Sequence, residues 1–373
     1  MKVCFTGGGT GGHVFPAFAI DRQLAQHLKD IGEPYQRFWL GSAAVAEQRW
    51  VHDAGIRHIA ICSGKLRRYF SWRTPKDMAA VVLGIFQALR VLRREQPDVV
   101  FSKGGYVSVP VMIASYLLRI PSITHESDAL PGLATRINGR FAQLICIPFP
   151  QAAVSYAKSL QAKLSVTGIP VRFSAETTDR QRALHHFSLT GDRPIIVVLG
   201  GSQGAQQINR LVWDTLDPLL DLGQVVHQTG NHEMMASERK DYHPFAFIDE
   251  HLDDLLCSAT VVISRSGATA IAEFMELRVP MILLPLGLHA SRGDQIANAQ
   301  RLEKFGAALV LSPEMATAEQ FLTVVKKVVL HDSVRRSMIE AAATLHVHRG
   351  AHTIAQLLVT HARDTGKRSV TNE

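Results

Sequence analysis

The sequence predicts an α/β protein built from two Rossmann-like domains that face a central cleft. Short apolar strands alternate with amphipathic helices along the 373 residues, which is the rhythm of a parallel sheet. A strand that ends in glycines and continues as a helix occurs twice, at residues 3–13 and at residues 195–205. A doubly wound sheet binds ligands outside the carboxyl ends of its strands, so we expect the active site in the cleft.

The composition is that of a soluble globular protein, with 46% hydrophobic and 20% charged residues. No apolar run is long enough to span a bilayer, and the N-terminus reads as a strand rather than a signal peptide, so we expect a cytoplasmic protein. The four cysteines lack metal-binding or disulfide spacing. A net charge of +7 favours an anionic partner: nucleic acid, a phosphorylated substrate or an acidic membrane surface. Nucleic acid is disfavoured because no basic helix or aromatic recognition motif occurs.

The first half supplies six predicted strands, at residues 3–6, 38–41, 59–62, 99–102, 123–125 and 144–147. The helix after the first strand has one apolar face, formed by Ile20, Leu24, Leu28 and Ile31. Between this strand and helix lies the sequence GGGTGGH, at residues 7–13. Backbone N–H groups at such a helix start suit an anion, but a tight structural turn has the same pattern. A dinucleotide site is disfavoured, since the second strand is not followed by an acidic residue that would bind a ribose.

The second half repeats this pattern, with predicted strands at residues 195–199, 225–229, 245–248, 261–264 and 281–284. The helix after the first of them has an apolar stripe at Ala205, Ile208, Val212, Leu216 and Leu219. We therefore expect an N-terminal domain at residues 1–168, joined by a C-terminal helix at about 346–373. The C-terminal domain should cover residues 169–345.

Three motifs of the second half suit a nucleotide sugar. The loop at residues 200–204 places Ser202 among glycines as a donor for a diphosphate, or forms a tight turn without a ligand. Residues 264–273 end a strand and bring Glu273 onto a helix, where it could accept both ribose hydroxyls or interact with the helix dipole. The polar segment 286–299 could bind a sugar, although a solvated loop has a similar composition.

Three ionisable side chains of the first half follow strands and should open onto the same cleft: His13, Glu126 and Asp128. The start of a helix should keep the His13 imidazole neutral, which suits a general base. These three residues are our catalytic candidates.

Together these motifs resemble the MurG family of N-acetylglucosaminyltransferases. The resemblance rests on seven ordered blocks, at residues 7–16, 104–108, 125–126, 131–132, 168–172, 200–205 and 264–273. It implies a GT-B inverting transferase that moves N-acetylglucosamine from UDP-N-acetylglucosamine to undecaprenyl-diphospho-muramoyl-pentapeptide in peptidoglycan synthesis, and hence a role in cell shape and division. It implies that the second domain holds most of the donor and the first holds the lipid-linked acceptor.

The resemblance also assigns residues. Thr10, Gly11 and Gly12 would contact the donor sugar, and Arg172 and Ser202 the diphosphate. The nucleoside and sugar contacts would come from Ile248, Ala268, Thr269, Ala270, Glu273, Asp294 and Gln295. His13 resembles the family's proposed base. Two positions depart from the better-known members: Ser127-Asp128 replaces Gln-Asn, and Asp294-Gln295 replaces Gln-Gln. Because a carboxylate only accepts hydrogen bonds, Asp128 could contact a sugar hydroxyl differently or act as the base itself.

The segment 65–73 and the apolar helix predicted at residues 78–92 mix aromatic, apolar and basic residues. This composition suits an anionic membrane surface or an ordinary helix with a solvated charged end; the lipid-linked acceptor favours the membrane. We expect a peripheral protein on the cytoplasmic face of the membrane, with no cofactor, no metal and no nucleic acid, and with cell-wall synthesis proteins as candidate partners. The alternatives are a transferase acting on diacylglycerol, a UDP-sugar epimerase and a non-catalytic UDP-sugar-binding protein.

Overall fold

The computed structural model describes residues 1–64, 74–200, 205–230, 239–287, 293–313, 316–345 and 349–370. The chain divides into two compact units, which we call the first and second units. The first unit consists of Met1–Arg172 and Val347–Glu373, and the second of Phe173–His346. The junction thus falls after Arg172 rather than after residue 168. No helix within the described ranges is long and apolar enough to cross a membrane.

The first unit contains a parallel sheet of seven described strands in the order β3-β2-β1-β4-β5-β6-β7. The strands are β1 (Lys2–Thr6), β2 (Gln36–Gly41), β3 (Arg57–Ala60), β4 (Val99–Ser102), β5 (Ser122–His125), β6 (Leu144–Ile147) and β7 (Leu164–Val166). Its helices are α1 (Gly11–Asp30), α2 (Val45–Asp53), α3 (Thr74–Glu95), α4 (Ser108–Leu117), α5 (Leu133–Phe141) and α6 (Lys158–Gln161), with a 3₁₀ turn at Pro150–Ser155. The last helix of the chain, α15 (Gly350–Val370), also belongs to this unit.

Side chains alternate between the two faces of β1, as the period of a strand requires. Val3 and Phe5 belong to the core formed with α1 and α15, whereas Cys4 belongs to the core formed with α3 and α4. Both faces are therefore covered by helices, as in most parallel sheets. The predicted stripe of α1 is buried except for Ile31, which lies just beyond the end of the helix and is exposed.

The second unit contains a parallel sheet of six described strands in the order β10-β9-β8-β11-β12-β13. The strands are β8 (Ile195–Leu199), β9 (Gln224–Gln228), β10 (Tyr242–Phe245), β11 (Val261–Ser264), β12 (Met281–Leu283) and β13 (Leu309–Val310). The helices are α7 (Arg180–His186), α8 (Gln206–Asp214), α9 (Leu216–Leu222), α10 (Leu252–Ser258), α11 (Ala268–Glu276), α12 (Asp294–Lys304), α13 (Ala318–Leu330) and α14 (Asp332–Leu345), with a 3₁₀ turn at Ala175–Thr177.

The two parallel-sheet α/β domains confirm the predicted fold class, whereas one predicted strand and one predicted helix have wrong bounds. The strand expected at residues 245–248 lies earlier, at Tyr242–Phe245. The helix expected from residue 205 to residue 219 is interrupted at Thr215, which separates α8 from α9. The hydroxyl of Thr215 donates to the carbonyl of Leu211. This bond is the local alternative that threonine offers to a continuing helix.

Candidate active site

The glycine-rich loop after β1 is closely packed against other parts of the first unit. Gly8 and Gly9 have φ angles of +153° and +94°, which L side chains rarely adopt. A Cβ atom at Gly8 would clash with the carboxylate of Glu47, and one at Gly7 would lie 2.8 Å from the carbonyl oxygen of His13. Glycine is therefore required at this turn by the protein's own packing, whether or not the loop binds a ligand.

Glu47 is a buried carboxylate directly behind this loop, and its side chain is 3% exposed. Its Oε1 accepts hydrogen bonds from Trp39 Nε1 (3.1 Å) and Ser42 N (2.9 Å), and its Oε2 accepts one from Ser42 Oγ (2.7 Å). Burial alone would raise the pKa of this carboxyl, but the hydrogen bonds from His58, Ser42 and Trp39 outweigh burial and lower it. An ionised carboxylate thus supports the loop for which the sequence left open an anion site or a tight structural turn.

His13 lies in the first turn of α1 and is half-buried. Its backbone N–H donates to the carbonyl of Thr10 (3.1 Å), and its Nδ1 lies 3.0 Å from Thr10 Oγ1. When Nδ1 carries the proton and donates it to the threonine hydroxyl, Nε2 is the proton-accepting nitrogen. Thr10 therefore orients the imidazole.

The loop after β4 touches the glycine-rich loop. Gly104 and Gly105 have φ angles of +93° and +79°, and a Cβ at Gly105 would clash with the carbonyl of Gly8. A Cβ at Gly104 would lie 3.7 Å from Cδ2 of His13, and Tyr106 borders Gly9. As predicted for adjacent strands of a parallel sheet, these two loops lie side by side.

Hydrogen bonds from hydroxyl and amide side chains stabilise this second loop. Ser102 Oγ accepts from the Gly104 N–H (3.1 Å) and from Asn138 Nδ2 (3.2 Å). The same amide nitrogen donates to Ser108 Oγ (2.7 Å), which donates in turn to the carbonyl of Gly105 (2.8 Å). The loop is consequently fixed by α4 and α5 as well as by β4.

Glu126 organises the loop that follows β5. Its Oε1 accepts from the backbone N–H groups of Ser127 (2.9 Å) and Asp128 (3.2 Å). Its Oε2 accepts from Gly132 N (2.9 Å) and from Thr135 Oγ1 (2.7 Å). All four bonds lie within this loop and the start of α5, so the geometry favours a positioning role for Glu126 over the catalytic role that we predicted. Asp128 is half-buried in the same loop.

Lys103 is buried between the second and third loops. Its Nζ donates to Ser127 Oγ at 2.9 Å, and its side chain faces the carboxylates of Glu126 and Asp128. Burial lowers the pKa of the ammonium, and the two carboxylates act in the opposite direction. His125 is also fully buried, and its pKa lies well below the ordinary value because of burial first and the charge of Lys103 second.

Arg172, predicted to contact the diphosphate, lies in the first unit. Its guanidinium stacks on the ring of Phe15 at 4.4 Å from the centroid, and its carbonyl accepts from Arg22 at 3.5 Å. Phe15 in turn fills the space beside Gly11, where a Cβ would lie 2.7 Å from the ring. A cation is thus held next to the first turn of α1 by a cation–π contact.

In the second unit, neutral polar groups and the guanidinium of Arg265 tie the loop after β11 to its neighbours; Arg265 donates to Gln207 Oε1 and to the carbonyls of Leu284 and Pro285. Ser264 Oγ donates to the carbonyl of Leu199 (2.9 Å), and Ser266 Oγ donates to the carbonyl of Gln295 (2.8 Å). Asn298 Nδ2 donates to the carbonyl of Ser266 (3.2 Å). The start of α12 is therefore fixed to the loop that precedes α11.

The predicted donor-binding residues of this unit lie on three elements. Ala268, Thr269, Ala270 and Glu273 belong to α11, and the Glu273 side chain is largely buried. No described atom comes within 4 Å of a Cβ placed on Gly267, just before this helix.

The other two elements are α12 and the segment after β10. Asp294 and Gln295 open α12, and Gln295 Oε1 accepts from the N–H of Leu286 at 3.0 Å. Ile248 is buried, and its N–H donates to Gln228 Oε1 at 3.0 Å. Ser202, the segment 65–73 and residues 288–292 of the predicted sugar loop lie outside the described residues.

Three supporting residues of the site were not predicted from the sequence: Glu47, Lys103 and Asn138. The sequence context of Lys103 could have identified it as a site residue, since it is a charged residue at the end of an apolar strand and just before two glycines. Glu47 and Asn138 have no such context, because each lies on an ordinary helix and its importance comes from loops distant in sequence.

Two family models match the chain. The glycosyltransferase family 28 N-terminal domain matches residues 3–147, and the glycosyltransferase family 28 C-terminal domain matches residues 195–354. These ranges fall within the first and second units respectively, apart from the part of α15 that the second model includes.

Curated relatives match over nearly the whole chain. A protein of Treponema pallidum (strain Nichols) is 39% identical, with 97% of this chain and 96% of the relative covered. One of Clostridium botulinum (strain Hall) is 37% identical, with 97% and 99% covered. Both are named UDP-N-acetylglucosamine–N-acetylmuramyl-(pentapeptide) pyrophosphoryl-undecaprenol N-acetylglucosamine transferase.

Solved structures share the fold. Acinetobacter baumannii MurG superposes with a TM-score of 0.71 at 25% identity, covering 96% of this chain and 99% of that one. UDP-GlcNAc 2-epimerase from Neisseria meningitidis, bound to UDP-GlcNAc, also gives a TM-score of 0.71, but at 12% identity, covering 96% and 100%. The epimerase likeness is therefore evidence of fold alone.

Proposed function

The chain belongs to the MurG family of glycosyltransferases, and on this premise we propose that it converts undecaprenyl-diphospho-muramoyl-pentapeptide to its N-acetylglucosaminyl product. The donor is UDP-N-acetylglucosamine, the acceptor group is the muramoyl 4-hydroxyl, and the pathway is peptidoglycan synthesis. One structural observation carries the chemistry: three loops at the carboxyl ends of β1, β4 and β5 bring His13 and Asp128 to one edge of the sheet, supported by buried charged residues.

The reaction is a displacement at the anomeric carbon with inversion. The oxygen of the acceptor hydroxyl forms the new bond to that carbon, and the bond from the carbon to the β-phosphate oxygen breaks. The electron pair leaves with UDP, and the hydroxyl proton passes to a base. His13 fits this base through Nε2 when Nδ1–H donates to Thr10 Oγ1. Asp128 is the alternative base, and as a carboxylate it would otherwise orient the acceptor by accepting a hydrogen bond from a sugar hydroxyl.

The donor contacts follow from the family motif. Glu273 would accept the ribose hydroxyls, with Ala268, Thr269 and Ala270 beside the nucleoside and Ile248 against the uracil. No described atom lies within 4 Å of a Cβ placed at Gly267, and this supports a ligand next to α11. The family motif assigns Asp294 and Gln295 to the sugar, and it also assigns Thr10, Gly11 and Gly12 to the sugar.

Arg172 and Ser202 would serve the diphosphate in this assignment. The Arg172 guanidinium is held on Phe15 beside the start of α1, where it can offset the charge that develops on the departing UDP.

Helix α3 supports the proposal that the protein works at an anionic membrane surface. Met78, Val82 and Phe86 recur every four residues and so share one face, and the Phe86 side chain is 65% exposed. Lys76 and Arg90 are exposed toward the two ends of this stripe. Apolar side chains bordered by cations are the pattern of an interfacial helix, and this placement would bring the lipid-linked acceptor to the enzyme on the cytoplasmic face.

The membrane proposal is tested by vesicle co-sedimentation. Phe86→Asp should weaken binding to phosphatidylglycerol vesicles by about tenfold, since a charge replaces an inserted ring. Val154→Asp, at an exposed position in another element, should bind like the wild type. Equal losses in both variants, or in neither, would argue against a contact through α3.

The activity is tested with radiolabelled UDP-N-acetylglucosamine offered with the undecaprenyl-linked acceptor, with diacylglycerol or with no lipid. We expect label on the undecaprenyl-linked acceptor alone. Label only on diacylglycerol, donor epimerised without acceptor, or donor binding without turnover would each establish a different function. His13→Ala and Asp128→Asn, assayed at saturating donor, then identify the base: normal turnover in the histidine variant beside a dead aspartate variant would assign the proton to Asp128.

A further inference from the structure

Lys103 is a buried cation at the centre of the candidate site and has no role in the reaction as described so far. It directly follows β4, and its side chain is 2% exposed. Its Nζ donates to Ser127 Oγ at 2.9 Å. On the other side its Cβ borders Gly7, at 3.4 Å from the place of a glycine Cβ. One lysine thus joins all three loops that carry the proposed chemistry.

The charges around Lys103 are unequal. The carboxylates of Glu126 and Asp128 both face it, whereas His125, which it also faces, is held neutral. In this state the His125 Nε2–H donates to the carbonyl of Gly168 at 2.9 Å. The ammonium therefore places a buried positive charge beside two carboxylates.

A purely structural side chain would not need this charge. Moving an ammonium out of water carries a large free-energy penalty unless partners compensate it, and methionine would fill the same space without that penalty. Glu126 is already engaged by four donors of its own loop. Within the loop after β5, an influence of Lys103 on bound substrate consequently passes through Ser127 and Asp128.

We propose that Lys103 is a positioning residue for the acceptor: its ammonium fixes Ser127 and lies beside the carboxylates of Glu126 and Asp128, so that Asp128 meets the acceptor in one orientation. This inference rests on the proposed transfer activity and deepens it. It adds a third requirement to the site, a buried cation, beside the proton acceptor and the donor-binding groups.

The test is a double-mutant cycle on kcat/KM for the lipid acceptor. Lys103→Met should lower this value by about 10- to 100-fold, with the KM for the donor changed by less than about twofold. In the Asp128→Asn background the same substitution should lower it by less than about threefold, because the group through which Lys103 acts is no longer a carboxylate. If Lys103 had only a structural role, its replacement would lower kcat/KM by the same factor in the wild-type and the Asp128→Asn backgrounds.

Two further variants keep the cycle decisive. Ser127→Ala removes the hydrogen bond from Lys103 but keeps the ammonium charge, so it should lower kcat/KM by less than Lys103→Met does. This loss should also become smaller in the Asp128→Asn background. The variant replaces Lys103→Met in the cycle if the latter does not fold. Lys163→Met is the control: this lysine caps backbone carbonyls around the end of α5, with Ala142 O at 2.8 Å, and its effect should be the same in both backgrounds.

The positioning role would be overturned if Lys103→Met, and likewise Ser127→Ala, lowered kcat/KM by the same factor in both backgrounds. It would also be overturned if the donor KM rose by as large a factor as kcat/KM for the acceptor fell. Wild-type protein that transfers no sugar to the undecaprenyl-linked acceptor would instead overturn the proposed function itself.

Discussion

The two units use the same construction, a strand followed by a loop and a helix, but they line it with different chemistry. Behind the loops of the first unit lie the buried ionisable groups Glu47, Lys103 and Glu126. Around the loop after β11 in the second unit, the described hydrogen-bond donors include the hydroxyl and amide groups of Ser264, Ser266 and Asn298 and the guanidinium of Arg265. The proposed function assigns the proton transfer to the first unit and the binding of the nucleoside, through Glu273, to the second.

One glycine in each unit extends this comparison: Gly105 is closely packed, whereas no described atom lies within 4 Å of a Cβ placed on Gly267. Replacing Gly105 should give the largest loss of stability and activity. Gly105→Ala would place a Cβ against the Gly8 carbonyl at a φ of +79°, so we expect a loss of about 2–4 kcal/mol in the free energy of unfolding and no measurable transfer. Gly267→Ala meets no described atom and has a φ of −68°, so its stability should change by less than about 0.5 kcal/mol. Chemical denaturation measures both.

The donor KM gives a second comparison of these two glycine variants. If the open space at Gly267 receives the donor, Gly267→Ala should raise the donor KM while its stability stays normal. Equal destabilisation by the two substitutions would remove the distinction between a packed first loop and an open second one.

Glu47→Gln tests whether the charge behind the first loop is needed. The glutamine keeps the size of the side chain but presents an NH₂ group to at least one of the donors Trp39 and Ser42, so we expect a loss of about 1–3 kcal/mol and slower transfer. Glu33→Gln removes an exposed pair with Arg363 and should change stability by less than about 1 kcal/mol. A Glu47 variant as stable as the Glu33 variant would contradict the supporting role of this carboxylate.

In the second unit, the buried His227 should make the stability of the protein depend on pH, because its neutral imidazole is hydrogen-bonded to uncharged side chains. Its Nδ1 lies 3.0 Å from the Tyr242 hydroxyl and its Nε2 lies 3.1 Å from Asn209 Oδ1, and burial lowers its pKa to about 4. The unfolded chain, with a pKa near 6.5, binds the proton more readily. Stability should therefore be fully present above about pH 6.5 and fall as the pH drops toward 4, by about 3 kcal/mol in all.

The variant His227→Gln isolates this effect, because glutamine can bond to both neighbours without titrating. The difference in unfolding free energy between wild type and variant should shrink or reverse between pH 7 and pH 4. A difference that stays constant across this range would mean that the imidazole does not have to remain neutral in the folded protein.

Sequence patterns predicted the long-range organisation because it depends on local signals. The strand at Ile195–Leu199 is an unbroken apolar run, and adjacent strand ends of a parallel sheet had to bring His13 near Gly104. The patterns failed at β7 and β13, which have three and two residues and lie at sheet edges, where there is little periodicity to read.

Within the candidate site, the position of the loop residues after the strands could be predicted from the sequence, whereas the residues that support these loops could not. Glu47 matters only because Gly8 and Gly41 leave room for its carboxylate, and this coincidence exists only in the folded unit. Glu126 was found at the right place, but its four hydrogen bonds, which favour a positioning role, could not be read from the sequence.

The dissociation constant of UDP, measured by calorimetry for one variant in each unit, tests this assignment of roles to the two units most directly. Glu273→Gln should weaken UDP binding by about tenfold or more, because the ribose loses its carboxylate. His13→Ala should bind UDP within about twofold of the wild type while losing most of its turnover. Weakening of UDP binding in His13→Ala as large as in Glu273→Gln, or normal binding in Glu273→Gln, would contradict the account.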